Sequence, residues 1–196
     1  MRGGDFLEAL EQKILSEGTV LDGGILKVGS FLNQQLDVDF LIKMGEEVKR
    51  IYEGERITKI LTIEASGIAV AVAVAAVMHK NVVFAKKNKT SNLSGELFAA
   101  KVHSFTHGTD YTVTVPKDYL SKDDRVLIID DFLANGNALN GLINIVNQAG
   151  AKVVGCTCAV EKGFQGGGDE LRKAGYRVES LAVIEKMSAE CIEFRR

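Results

Sequence analysis

Apolar positions along the chain recur at two different spacings, and the change from one to the other divides it into a helical start and an alternating remainder. Leu7, Leu10, Ile14 and Leu15 recur at helical spacing after Asp5, a good N-cap, and Gly18 supplies the stop. Gly3-Gly4 ahead of them is free to fray. Residues 25–35 mix Leu26, Val28, Phe31 and Leu32 with Gly29, Ser30 and Asn33. That stretch is too irregular for one element and too apolar for a solvated loop, so it is expected to cover something. Asp37 then opens a second amphipathic helix, with Phe40, Leu41, Met44, Val48 and Ile51 on one face, which runs to about Tyr52.

Beyond Gly54 the pattern alternates. Residues 57–63 read as a strand, Glu64-Ala65-Ser66-Gly67 as a turn, 68–78 as an apolar helix and 82–85 as a strand. The Val70, Val72, Val74 alternation also fits a strand, but the length of the run and the short strands on either side favour the helix of a βαβ unit. Residues 86–100 carry Lys86, Lys87 and Lys89 among polar neighbours and are expected to form a mobile loop, a candidate lid. Residues 102–106 and 111–115 alternate around His107-Gly108-Thr109-Asp110, which signals a hairpin.

Residues 126–129 read as a buried strand, followed by Asp130-Asp131, a turn, and a helix over about 137–148 closed by Gly150. A strand over 153–160, a short helix over 169–174 and a last strand over 177–184 complete the series. The expected fold is α/β, a mainly parallel central sheet flanked by helices, with an antiparallel edge hairpin and an N-terminal helical cover. Residues 1–196 are expected to form one domain, with about 1–55 as the cover and about 56–186 as the core.

Composition narrows the function classes. The chain has 196 residues, 46% of them hydrophobic, enough for a core without disulfides or structural metal. Lys plus Arg number 24 against 26 Asp plus Glu, so no global positive field gathers nucleic acid, and any phosphate site must be local. The longest apolar run, 68–78, is far short of the ~20 residues that cross a bilayer. With no signal-peptide pattern at the start, a cytoplasmic protein is expected. Cys156, Cys158 and Cys191 read as buried reduced thiols rather than a metal site.

The chemistry concentrates in Val126 to Ala138. Four apolar residues bring a strand to the carboxyl edge of the sheet, where open α/β folds place ligands. Adjacent Asp130 and Asp131 repel each other, a cost that makes sense if they accept hydrogen bonds from a vicinal diol or lie near a divalent cation. Ala134, Gly136 and Ala138 are small enough to admit a phosphate to the main chain at the start of the next helix. Diol and phosphate together describe a ribose 5-phosphate. Gly136 to Gly141 is no P-loop, and Gly166-Gly167-Gly168 opens no dinucleotide fingerprint.

This thirteen-residue stretch resembles the phosphoribosyl pyrophosphate motif of the type I phosphoribosyltransferases. The resemblance extends to Leu26-Lys27-Val28, Ser30 to Asn33, Ile57 to Ile60, Ser104-Phe105-Thr106, Gln148 to Ala151 and Gly175 to Ala182, and is strongest to the purine-salvage members that take xanthine. It implies that Asp130 and Asp131 hold the ribose hydroxyls at the catalytic centre. It implies that Ala134, Asn135, Gly136, Asn137 and Ala138 wrap the 5-phosphate, and that Ser66 and Lys86 meet the pyrophosphate. Leu26, Asn33 and Lys162 are implied for the base. Magnesium bound with the substrate, homodimers and the absence of nucleic-acid or membrane partners are implied too.

Lys162 offers donors and no acceptor, which suits a purine carbonyl at C6 and disfavours adenine; Asn33 can read a second carbonyl. Phe132 and Phe164 serve either as ring-packing partners or as plain core. His79, His103 and His107 fall outside the inferred site. Guanine or hypoxanthine as the base, or a phosphoribosyl-pyrophosphate-sensing regulator, are the alternatives.

Overall fold

The computed structural model describes residues 3–21, 24–87, 95–104, 109–188 and 190–195. Helix α1 (Gly3–Glu17) buries Phe6, Leu10 and Ile14, and it starts two residues early, so Asp5 lies inside it rather than at its cap. The irregular stretch proves to be a hairpin, β1 (Thr19–Leu21) against β2 (Ile25–Lys27), and one π-helical turn over Gly29–Asn33. Its Leu26, Val28, Phe31 and Leu32 join one apolar cluster with α1, which is what that stretch covers. Helix α2 (Val38–Ile51) is capped as expected, the Asp37 carboxylate accepting from the Phe40 N–H at 3.1 Å.

The core is an eight-stranded sheet of order β10-β9-β8-β7-β3-β4-β6-β5. Its strands are β3 (Lys59–Ile63), β4 (Asn81–Lys87), β5 (Leu97–Ser104), β6 (Thr109–Pro116), β7 (Arg125–Leu133), β8 (Lys152–Lys162), β9 (Val178–Met187) and β10 (Ile192–Phe194). The inner five, β9, β8, β7, β3 and β4, run parallel, and the β5–β6 hairpin and β10 close the two sides antiparallel. Helices α1, α2 and α3 (Gly67–Met78) cover one face, and α4 (Asn137–Gln148) and α5 (Gly167–Lys173) cover the other.

Helix α3 settles the ambiguous valines. A strand would put Val70, Val72 and Val74 on one side, whereas Val72 is 52% exposed and its two neighbours are buried. Among the described residues no helix is long and apolar enough to cross a membrane.

Four expectations are corrected. Lys86 and Lys87 belong to β4 rather than a loop, and 97–100 belong to β5, which leaves 88–94 of the expected lid outside the described residues. Asp130 and Asp131 lie within β7, whose pairing with β8 continues to Leu133, so the strand runs through them instead of ending at Ile129. The strand after α5 is not the last, because β10 pairs back on β9 in a run of three residues too short for periodicity to reveal. The hairpin strands are longer than expected, and its turn residues 105–108, His107 among them, lie outside the described residues.

Candidate active site

Strand order decides where a ligand can sit. The chain steps from β3 outward to β4 on one side and from β7 outward to β8 on the other, so β3 and β7 flank the point at which the winding reverses. At the carboxyl ends of β7, β3 and β4 lies a cavity of about 130 Å³. Asp130 and Asp131 form one wall, the 64–67 turn another, and Lys87, Tyr111 and Ala138 complete it.

The turn after β3 is tied in place. The Lys87 backbone N–H donates to Glu64 Oε1 at 2.6 Å, and the Glu64–Ala65 peptide is cis. Gly67 begins α3 where no side chain fits: a Cβ there would lie 2.5 Å from Thr62 Oγ1 and 2.9 Å from Asp130 Oδ1. The turn thereby approaches the carboxylates closely.

Electrostatics at this wall are strained. Burial first, then the charge of neighbouring Asp131, pushes the Asp130 carboxyl well above the usual carboxylate range, and Lys87 opposes the shift. Oδ1 of Asp130 accepts the Asp131 N–H at 3.0 Å. The Lys87 ammonium sits 5.4 Å from the centre of the Tyr111 ring, whose hydroxyl is itself held up by burial and by Asp130. Two carboxylates facing a lysine across a small polar cavity suit a ligand that brings hydroxyl donors to one side and anionic oxygens to the other.

Next to the carboxylates the chain turns through Ala134 and Asn135 to Gly136, whose φ of 79° is left-handed backbone that glycine adopts freely. Helix α4 starts there with no side-chain cap among the described residues, so its first N–H groups lack intrahelical partners at the positive end of its dipole. Asn137 donates through Nδ2 to the His103 carbonyl at 3.0 Å, tying the loop to β5. Gly167 closes it from behind, since its N–H donates to the Ala134 carbonyl at 3.1 Å and a Cβ would meet that oxygen at 2.3 Å.

Lys162 ends β8. Its half-buried ammonium donates to the Gly24 carbonyl at 2.9 Å, lies 5.7 Å from the Phe132 ring centre, and has its pKa lowered by desolvation. The N-terminal hairpin thus reaches the sheet edge where the carboxylates lie.

Comparison with known proteins matches the phosphoribosyl transferase domain family over residues 35–193. The chain belongs to the phosphoribosyltransferase family. It is 52% identical to a xanthine phosphoribosyltransferase of Lachnoclostridium phytofermentans across 94% of this chain and 95% of that one. It is 54% identical to the xanthine phosphoribosyltransferase of Bifidobacterium longum subsp. infantis across 94% of this chain and 96% of that one. Among solved structures, the adenine phosphoribosyltransferase of Giardia lamblia with 9-deazaadenine superposes with a TM-score of 0.76 at 23% identity, covering 91% of this chain and 98% of that one. The Trypanosoma brucei adenine enzyme, in complex with AMP, pyrophosphate and ribose-5-phosphate, gives 0.76 at 17% identity, covering 89% of this chain and 78% of that one. These two likenesses establish the fold.

In this phosphoribosyltransferase Asp130, Asp131, Ser66 and Ala138 share one cavity, and Ala134, Asn135, Gly136 and Asn137 run beside it. Lys86 does not join them. It faces a separate groove with Phe84, Thr114 and Tyr119, because successive strand residues alternate and Thr114 is its cross-strand neighbour; the cavity receives Lys87 instead. Leu26 is packed into the core, and Asn33 ends the π turn with its side chain making no hydrogen bond among the described residues. Phe132 packs against the core and Phe164 is exposed.

His103 pairs with Asp110 at 2.6 Å and His79 is an exposed cap residue, and neither lines the cavity. Burial pushes the Cys156 thiol up to about 12 and raises Cys158 as well, but Cys191 is exposed, contrary to expectation. The sequence places Lys87 only within the cationic 86–100 segment, and it gives Tyr111 and Gly167 no role. The glycine triplet was visible there, but a contact with a loop some thirty residues upstream was not.

Proposed function

We propose that this phosphoribosyltransferase transfers the 5-phosphoribosyl group of phosphoribosyl pyrophosphate to xanthine, giving xanthosine 5′-monophosphate and pyrophosphate. The observation that carries the reading is the meeting of Asp130, Asp131 and the 64–67 turn across one cavity, with the start of α4 beside it. Asp130 and Asp131 accept hydrogen bonds from the ribose hydroxyls. Main-chain N–H groups of 134–138 hold the 5-phosphate, and Ser66 with Lys87 meets the pyrophosphate.

The bond from C1 to the pyrophosphate oxygen breaks ahead of the bond to the purine nitrogen. Positive charge then grows on the ribose, beside the carboxylates, and negative charge on the leaving group, beside Lys87. The proton on the purine nitrogen passes to water, and Lys162 favours the anionic base by Coulomb attraction, so no general base is invoked. A magnesium ion fits the donor set, since that ion is commonly held by one or two carboxylates together with substrate oxygens and waters, and Asp130 and Asp131 would hold it. When bound it supplies positive charge to the leaving group.

For the base, the donor-only Lys162 matches a C6 carbonyl, Asn33 offers a donor and an acceptor to a second carbonyl, and Leu26 backs the cover. The curated relatives are named for xanthine. Residues 1–196 act as one domain in this reading, with 1–55 as the cover, and one apolar cluster that runs through α1, the π turn, α2 and the sheet supports it.

A homodimer is part of the proposal: α3 carries no charged residue and leaves Val72 exposed, and Phe84 on β4 is exposed as well. A cytosolic setting suits the free, exposed thiol of Cys191. The test is a steady-state panel of xanthine, hypoxanthine, guanine and adenine with phosphoribosyl pyrophosphate. Xanthine should show the highest kcat/KM, and a preference for adenine would overturn the base assignment.

A further inference from the structure

Glu161 is fully buried, stands one residue before Lys162 and pairs in register with Leu133, the last residue of β7. Its carboxylate takes both arms of Arg172, Nη1 donating to Oε1 at 3.0 Å and Nη2 to Oε2 at 2.7 Å. The Ser180 hydroxyl also donates to Oε2, and Ser180 Oγ lies 3.2 Å from Cys158 Sγ. Arg172 is held further by the Val178 carbonyl at 3.2 Å and Asp169 at 3.1 Å. Glu161 is buried and Arg172 is partly exposed, and an ion pair set into the protein in this way adds little net stability against an apolar replacement, so its geometry points to a role in specifying position.

That position is the start of α5. On one side Gly168 lies so close to the pair that a Cβ would meet Glu161 Oε1 at 2.0 Å and Arg172 Nη1 at 2.9 Å. On the other side Gly167 lies against the phosphate loop, where a Cβ would meet the Ala134 carbonyl at 2.3 Å and the Gly136 nitrogen at 2.4 Å. Two adjacent glycines therefore transmit contact from the Glu161 carboxylate to residues 134–136 with no side chain in between.

We propose that the Glu161–Arg172 pair is a positioning device for the phosphate loop, holding the first turn of α5 against 134–136 so that the loop keeps the shape that binds a sugar 5-phosphate. The inference rests on the reading above, which makes that loop the phosphate cradle. Glu161 touches no substrate and acts through Arg172 and Gly167.

The experiment compares wild type, Glu161→Gln and Arg172→Lys, with KM for phosphoribosyl pyrophosphate, KM for xanthine and kcat measured separately. Glu161→Gln removes the charge that fixes the guanidinium, and KM for phosphoribosyl pyrophosphate should rise about tenfold, with KM for xanthine and kcat changing less than about threefold. Arg172→Lys keeps the charge without the fork and should give a smaller rise of the same kind. A merely structural pair would lower the melting temperature and leave both KM values at wild type.

That result, or an equal rise in both KM values, overturns the proposal. Should Glu161→Gln fail to fold, Ser180→Ala removes one hydrogen bond to the same carboxylate and should still raise KM for phosphoribosyl pyrophosphate about threefold; no rise overturns it equally. Absence of turnover in the folded wild type would sink the functional reading itself, a failure recognisable before any variant is made.

Discussion

The backbone N–H of Lys87 and the carboxylate of Glu64, 2.6 Å apart, join the end of β4 to the turn after β3. The bond fixes the turn and the strand as one unit, and the Lys87 side chain extends from that unit toward Asp130. Lys87→Met keeps the backbone bond and removes only the cation. KM for phosphoribosyl pyrophosphate should rise about tenfold, with a far smaller effect on KM for xanthine. Equal effects on the two substrates would place Lys87 outside the pyrophosphate subsite.

Asp130→Asn separates function from stability. Since the folded carboxyl has a pKa well above its unfolded value, the folded state holds a proton that the unfolded chain releases. Stability contributed by this group is therefore present at low pH and lost as pH rises through the folded pKa. Thermal melts should show Asp130→Asn more stable than wild type at pH 8, with the gap closing toward pH 4, while kcat/KM falls about a hundredfold or more. A variant that is less stable at pH 8 would contradict the strained carboxylate.

Lys162 gives the base site a pH dependence of its own. Desolvation lowers its pKa, so its charge and its attraction for an anionic oxo-purine are lost at a lower pH than an exposed lysine would allow. The pH profile of kcat/KM for xanthine should have an alkaline limb that Lys162→Met abolishes together with about tenfold or more of the rate. KM for phosphoribosyl pyrophosphate should stay near wild type.

Asn33→Ala addresses the second carbonyl. The side chain makes no hydrogen bond among the described residues, so its removal orphans no partner among them. The ratio of kcat/KM for xanthine over hypoxanthine should fall about fivefold or more, with the fold intact by circular dichroism. An unchanged ratio would move recognition of that carbonyl to other groups.

Tyr52→Phe serves as a stability counterpart remote from the cavity. The Tyr52 hydroxyl donates to the Cys156 carbonyl at 3.3 Å and accepts from Thr157 Oγ1 at 3.1 Å, both buried, while Arg177 stacks 4.4 Å from the ring centre. Its loss should cost about 1–3 kcal/mol in chemical denaturation and leave the kinetic constants unchanged.

Much of this arrangement is legible in the residues themselves. Helix α2 follows from Asp37 and its apolar stripe, and α4 runs over the 137–148 span that its pattern specifies. The motif around Asp130 is explicit because it is continuous in the chain. What the sequence hides is relational. Whether Lys86 or Lys87 enters the cavity depends on how far β4 extends, which the polar lysines obscure by resembling a loop. Strand β10 owes its existence to an edge offered by β9, and the part played by Gly167 depends on a neighbour distant along the chain. Local periodicity carries no trace of either.

The β3/β7 junction brings Lys59 opposite Val126, and between those two positions the chain makes α3 and the outer hairpin. The two halves of the cavity are thus synthesised well apart and become neighbours only through non-local pairing, which loop-closure entropy makes slow. Recovery of turnover after dilution from denaturant therefore reports the pairing of β3 with β7, and a chain that ends before β7 lacks Asp130, Asp131 and the loop after them, half of the binding surface.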